Sequence, residues 1–218
     1  MIYRKVALIA ILSLGLLGGC LGAKPEEELY IAFENAANQE KALFDNVKTF
    51  EQLETAEQEL YNQIIQEGKE RNEAIMSQIV QAVSSIDARE HLLENEKDVL
   101  EKALKEIAAI HSDINKIEDK KLQAQAKQVE ESYKKRYEAF QKINENYTKS
   151  LKIEKELYGK LKDNETKLKE IGEMVKTLNT LYEKIQKEKE NFNQYTKSYN
   201  EGKLAFYKEA KIKIKEEK

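Results

Sequence analysis

The sequence predicts an all-α fold, an elongated antiparallel bundle of three long coiled-coil-like helices, or four if the second is broken. Three observations predict it. Among 218 residues there is one proline, Pro25, and no tryptophan, and 35% of the residues are charged. Beyond the amino-terminal segment the vocabulary is Glu, Lys, Leu, Ala, Ile, Gln and Tyr, the composition of long helices. Apolar residues then recur in steps of three and four: Leu53, Leu60, Ile64; Ile75, Ile79, Val83, Ile86; Ala103, Ile107, Ile110, Ile114, Ile117. A later stripe runs Tyr133, Tyr137, Phe140, Ile143, Tyr147, Leu151 and on through Leu157, Leu178, Tyr182, Ile185 and Tyr199. Such spacing places one apolar seam along each helix and leaves β structure without support.

The elements follow in order. Arg4 and Lys5 make a short basic start, and Val6 to Leu17 is an uncharged apolar stretch. These are the n-region and h-region of an export signal. The stretch is short for a spanning helix, which needs roughly 20 residues. Leu17-Gly18-Gly19-Cys20 resembles a bacterial lipobox, with cleavage between Gly19 and Cys20 and lipidation of the Cys20 sulfur. Cys20 is the single cysteine, so a disulfide within the chain is excluded. Residues 1–19 are therefore expected to be a lipoprotein signal peptide, 20–25 a lipid anchor and short tether, and 26–218 a single helical domain. Five tether residues, Leu21 to Pro25, reach at most about 17 Å.

Pro25 followed by Glu26, Glu27 and Glu28 suits a helix start, where acidic side chains meet the positive end of the helix dipole. One uninterrupted helix of some 190 residues would be about 285 Å long, so the chain is expected to fold back. Ser84-Ser85 and Asp163-Asn164 are the favoured corners, giving helices over about 26–83, 86–160 and 164–214. Weaker corners are Gly68, His111-Ser112-Asp113 and Asp119; a break over 111–119 gives the four-helix version.

Charge is divided unevenly. Glu26 to Asp119 holds 9 basic and 23 acidic residues, net -14, whereas Lys120 to Lys218 holds 25 basic and 17 acidic, net +8. Folding back sets an acidic segment against basic ones, which favours one arrangement over others. The basic half also offers a cationic face for an anionic polymer, centred on Lys134, Lys135 and Arg136 with Lys127, Lys142, Lys149, Lys152 and Lys155, and a basic end at 211–215. Tyrosines interleaved with these cations could stack on a sugar ring. Their heptad positions favour instead rings in the seam with hydroxyls reaching solvent at its edge.

Catalytic patterns are missing. A di-iron bundle needs a Glu three residues before a His, but Ala88 precedes His91 and Ala108 precedes His111 at that spacing. No His-x-x-x-His, phosphate loop or Gly-x-Ser-x-Gly elbow occurs, so no metal, cofactor or catalytic residue is assigned. A carboxylate pair for glycoside hydrolysis needs a cleft holding two carboxyls about 5 to 9 Å apart, and a narrow helical seam offers none.

The lipobox, Pro25-Glu26-Glu27-Glu28-Leu29-Tyr30, Ala32-Phe33-Glu34-Asn35-Ala36-Ala37, Glu59-Leu60-Tyr61-Asn62-Gln63-Ile64-Ile65-Gln66-Glu67-Gly68 and Tyr137-Glu138-Ala139-Phe140 together resemble the YkyA-like family of cell-wall-binding lipoproteins of Gram-positive bacilli. The resemblance covers the whole chain. It implies an exported helical surface protein, held on the outer face of the cytoplasmic membrane by lipid on Cys20, and it carries over no other functional residue. The expected role is a non-enzymatic binding or spacing element at the membrane–wall interface, in contact with peptidoglycan or teichoic acid. The alternatives are a scaffold for a protein partner, or a wall-modifying enzyme. A homodimer is compatible with the heptads, and export removes nucleic acid from the partners.

Overall fold

The computed structural model describes residues 24–67, 73–163 and 165–213. The described residues form an all-α bundle of six helices: α1 (Pro25–Glu40), α2 (Leu43–Glu67), α3 (Glu73–Ala109), α4 (His111–Ile114), α5 (Lys120–Leu161) and α6 (Leu168–Glu209). Four of these, α2, α3, α5 and α6, are long.

The helix ends show why the chain folds where it does. Pro25 is the first residue of α1, with Lys24 extended before it and Glu26, Glu27 and Glu28 in the first turn. Asp119 caps α5: its Oδ1 accepts the amides of Lys121 at 2.8 Å and Leu122 at 3.0 Å, covering donors that a helix start leaves unpaired. At its other end α6 closes through Ile212 N–H to the Tyr207 carbonyl, 3.0 Å, and Lys211 N–H to that of Lys208, 3.2 Å. That pattern needs a left-handed residue, and here Lys211 supplies it at φ 55°.

The break over 111–119 is real and four helices are long, but the expected first helix over 26–83 is instead α1, α2 and the start of α3. Ile110, Ile114 and Ile117 plug the corner from inside, and Gln123 Nε2 donates to the carbonyls of Ile114 and Ile117 at 3.1 and 3.4 Å. The Ser84-Ser85 corner is wrong, because α3 runs straight through it. Ile79, Ala82 and Ile86 keep the buried stripe continuous, and the buried Ser85 hydroxyl donates to the Leu53 carbonyl of α2, 3.1 Å. Instead α2 ends at Glu67 and α3 begins at Glu73; Gly68, the weaker candidate, lies outside the described residues. Asp163 does mark a corner, its Oδ1 accepting from the Glu165 amide at 3.0 Å.

The chain divides into two compact units. Among the described residues unit 1 comprises 24–42, 99–140 and 189–213: α1, the end of α3, α4, the first half of α5 and the end of α6. Its core joins Leu29, Phe33, Ala36, Ile107, Ile114, Val129, Tyr133, Tyr199, Phe206 and Tyr207. Edge-on rings fill it, among them Tyr30–Tyr207 at 4.9 Å and Tyr133–Tyr199 at 5.0 Å between centroids, a favoured aromatic geometry. A Cβ at Gly202 of α6 would come within 3.1 Å of Val129 Cγ2 on α5, so glycine sets the closeness of these two helices.

Unit 2 comprises residues 43–98 and 141–188: α2, most of α3, the second half of α5 and the first half of α6. Gln78 to Gln63 and Ser85 to Leu53 run in opposite chain directions, so α2 and α3 are antiparallel. Lys160–Glu170 and Lys142–Glu188 make α5 and α6 antiparallel as well.

Candidate functional site

Lipidation at Cys20 and cleavage at Gly19–Cys20 lie outside the described residues. Among the described residues no helix is long and apolar enough to cross a membrane.

The structure does not bring Lys134, Lys135 and Arg136 together as a cationic face. Arg136 points inward and is nearly buried, its side chain 8% exposed. Its two terminal nitrogens meet the Glu40 carboxylate of α1 at 2.6 Å each, and Nε donates to Thr196 Oγ1 at 2.9 Å. The guanidinium lies over the rings of Phe192 and Tyr133, 4.6 and 5.3 Å from their centroids. This fork-on-carboxylate geometry commits every face of the group to its own chain. Lys134 and Lys135 are half-exposed and pair one helical turn back, with Glu130 at 2.7 Å and Glu131 at 3.5 Å. Elsewhere on α5, Lys142 pairs with Glu188 and Lys155 with Asp87 and Glu90. Lys127, Lys149 and Lys152 are exposed.

The tyrosines are in the seam, but five hydroxyls turn inward to carboxylates instead of reaching solvent. In unit 1, Tyr133 donates to Glu40 at 2.5 Å and Tyr207 to Glu34 at 2.8 Å. In unit 2, Tyr147 donates to Glu54 at 3.0 Å, Tyr158 to Glu57 and Tyr182 to Glu154. Burial first, and the neighbouring carboxylates second, push all five phenols above their ordinary range, so they remain donors. Four of the accepting carboxylates come from the acidic half of the sequence, on α1 and α2. Opposite charges of the two halves also meet inside the chain, in Arg136–Glu40 and in Lys203–Glu34 at 3.0 Å.

Two charged residues at the centre of unit 2 escape a reading of motifs. Arg89 of α3 is fully buried and its Nη2 meets Glu154 of α5 at 2.6 Å. The signal was present in the spacing: Arg89 continues Ile75, Ile79, Ala82 and Ile86 on the buried stripe, as Arg136 follows Val129 and Tyr133 and Lys203 follows Tyr199. A charged residue at a core position marks a buried pair, because an unpaired charge there is too costly.

Histidines and carboxylates offer no metal or catalytic set among the described residues. His91 is exposed beside Glu94. The His111 Nδ1 lies 3.1 Å from Glu130, a carboxylate that Lys134 also holds. No cluster of three or more metal-ligating side chains is found among the described residues. A shallow groove between α5 and α6 in unit 2, lined by Ile153, Glu156, Lys160, Glu170, Glu173, Met174 and Thr177, sets acids beside apolar side chains. There Lys160 bonds Glu170 at 2.8 Å and holds its carboxyl below the usual range, opposite to the direction a general acid requires.

The family model described as "Putative cell-wall binding lipoprotein", YkyA, matches residues 24–209. The "Uncharacterized lipoprotein YkyA" of Bacillus subtilis (strain 168) is 28% identical over 200 residues, which span 92% of this chain and 90% of that protein. No solved structure is found to match. With a helical core that takes up nearly the whole matched span, the chain belongs to the YkyA family of lipoproteins.

Proposed function

We propose that this chain is a lipid-anchored, non-enzymatic binding and spacing element at the interface of membrane and cell wall. One observation carries the reading: five buried tyrosines, the glutamates they bond and the Arg136 guanidinium are committed to partners within the chain, so their chemistry is spent on holding helices together. What remains for a partner is the outer surface. Family membership supports the envelope location, and lipid on Cys20 would supply the attachment.

On this reading an anionic wall polymer, peptidoglycan with teichoic acid, meets the exposed ammonium groups of α5. Lys149 and Lys152 are the cations to test, with Lys134 and Lys135 beside their own glutamates as a weaker pair. The chain from residue 21 onward should co-sediment with purified wall at low salt, and release as salt screens the contact. Lys149→Glu with Lys152→Glu should weaken retention several-fold. No retention at low salt, with or without teichoic acid, rules out wall binding by this chain.

A second reading, docking of an exported or membrane protein, is favoured by a different surface. Ala74 to Ile86 carries no charge in a chain that is 35% charged. Its exposed members include Met76 and Val80, and Ile65 of α2 is exposed as well. Crosslinking in cells that captures one stoichiometric partner through Met76 or Val80, together with no wall retention, would favour it.

A further inference from the structure

The core of unit 2 gathers acids and phenols around one buried guanidinium. Glu54 and Glu57 enter it from α2, Arg89 from α3, Glu154 from α5, and the phenols of Tyr147, Tyr158 and Tyr182 from α5 and α6. Tyr61 of α2 also lies close enough to Glu57 to feel its charge. Two of these carboxylates, Glu57 and Glu154, thus share one guanidinium. Arg89 Nη2 lies 2.6 Å from Glu154 and 3.8 Å from Glu57, while its Nε and Nη1 are buried without a hydrogen-bond partner. The guanidinium therefore satisfies one carboxylate and only approaches a second. A phenol can bond a carboxylate but does not neutralise it. An acid buried without a matching cation takes up a proton instead.

We propose that the core of unit 2 is a proton-binding device: Glu57 keeps its proton at pH values where exposed carboxylates have lost theirs, and its release loosens α2 from the rest of the unit. Glu57 is the group concerned because Arg89 favours Glu154. Burial, with the charges of Glu154 and Glu54, raises its affinity for a proton against the opposing effects of the Tyr158 bond and Arg89. The released proton goes to solvent and leaves a carboxylate facing Glu54 and Glu154. A group raised in the folded state contributes stability that is full at low pH and lost as pH rises through the folded value.

The test is urea unfolding of the full chain in detergent from pH 4.5 to 9, for wild type and Glu57→Gln. The wild-type midpoint should fall as Glu57 ionises, while the glutamine variant, neutral throughout, should lack that fall and exceed wild type at pH 9. Parallel profiles overturn the proposal. Should the variant not fold, carbon-13 carboxyl titration of the wild-type chain decides: a Glu57 midpoint above the ordinary glutamate value of about 4.3 supports the device, and one at or below it overturns it.

Discussion

Units 1 and 2 bury the same three kinds of side chain, tyrosine, glutamate and a long cation, yet they balance them differently. In unit 1 each buried acid has its own cation: Glu40 has Arg136, Glu34 has Lys203, and Glu130 has Lys134 with His111 beside it. In unit 2 Glu57 and Glu154 share Arg89, which bonds Glu154 and only approaches Glu57. Pairing decides the sign of each unit's response to pH. Burial would raise Glu130, but the bonds from Lys134 and His111 outweigh it and hold the carboxyl below its usual range. Stability from Glu130 is present above the ordinary carboxylate value and lost as pH falls through the depressed one. Glu57 is raised, so the stability linked to it is lost as pH rises. Glu170, also lowered in unit 2, is fully exposed and adds little, because solvent screens its pair with Lys160. The same Tyr–Glu bond is thus part of a matched lock in one unit and of a proton-dependent contact in the other.

The comparison can be broken most severely at Arg136. Arg136→Met would leave Glu40 buried with only Tyr133, and removing one partner of a buried pair costs about 3–5 kcal/mol. Urea unfolding at pH 7 measures it, and a loss below about 1 kcal/mol would mean that unit 1 is not locked by matched pairs. A smaller effect is expected at Glu130. Glu130→Gln should be less stable than wild type at pH 7, with the gap closing as pH drops below about 4.3 and the wild-type carboxyl itself gains a proton. A gap independent of pH would assign Glu130 a packing role only. The smallest change sharpens the comparison by touching neither network. Lys211→Gly relieves a left-handed lysine at the end of α6 and should raise stability by about 1 kcal/mol at every pH, a flat reference against which the other two profiles are read.

Much of the fold was legible because a seam with steps of three and four leaves few alternatives. Pro25, Asp119 and Asp163 mark helix ends through local chemistry, so sequence alone finds them. Ser84-Ser85 misleads for a tertiary reason: serine is a poor helix former in isolation, but Ser85 gives its hydroxyl to α2 and lets that helix approach. The turn after Glu40 carries neither Gly nor Pro, and it coincides with the passage of the chain from unit 1 to unit 2. For the candidate site, charge counting found the right principle, opposite halves meeting within one chain, but misplaced Arg136. Three consecutive cations look like a surface patch in a linear reading. In a helix, positions 133 and 136 share the inward face, while 134 and 135 turn away from it.

Hydrogen exchange on the full chain at pH 4, 6.5 and 9, corrected for the intrinsic pH dependence of exchange, tests the opposition of the two units most directly. The amides of α2, residues 43–67, should be least protected at pH 9, and those of α1 and the first half of α5, residues 25–40 and 120–140, least protected at pH 4. Protection that rises or falls together in both sets would contradict the account.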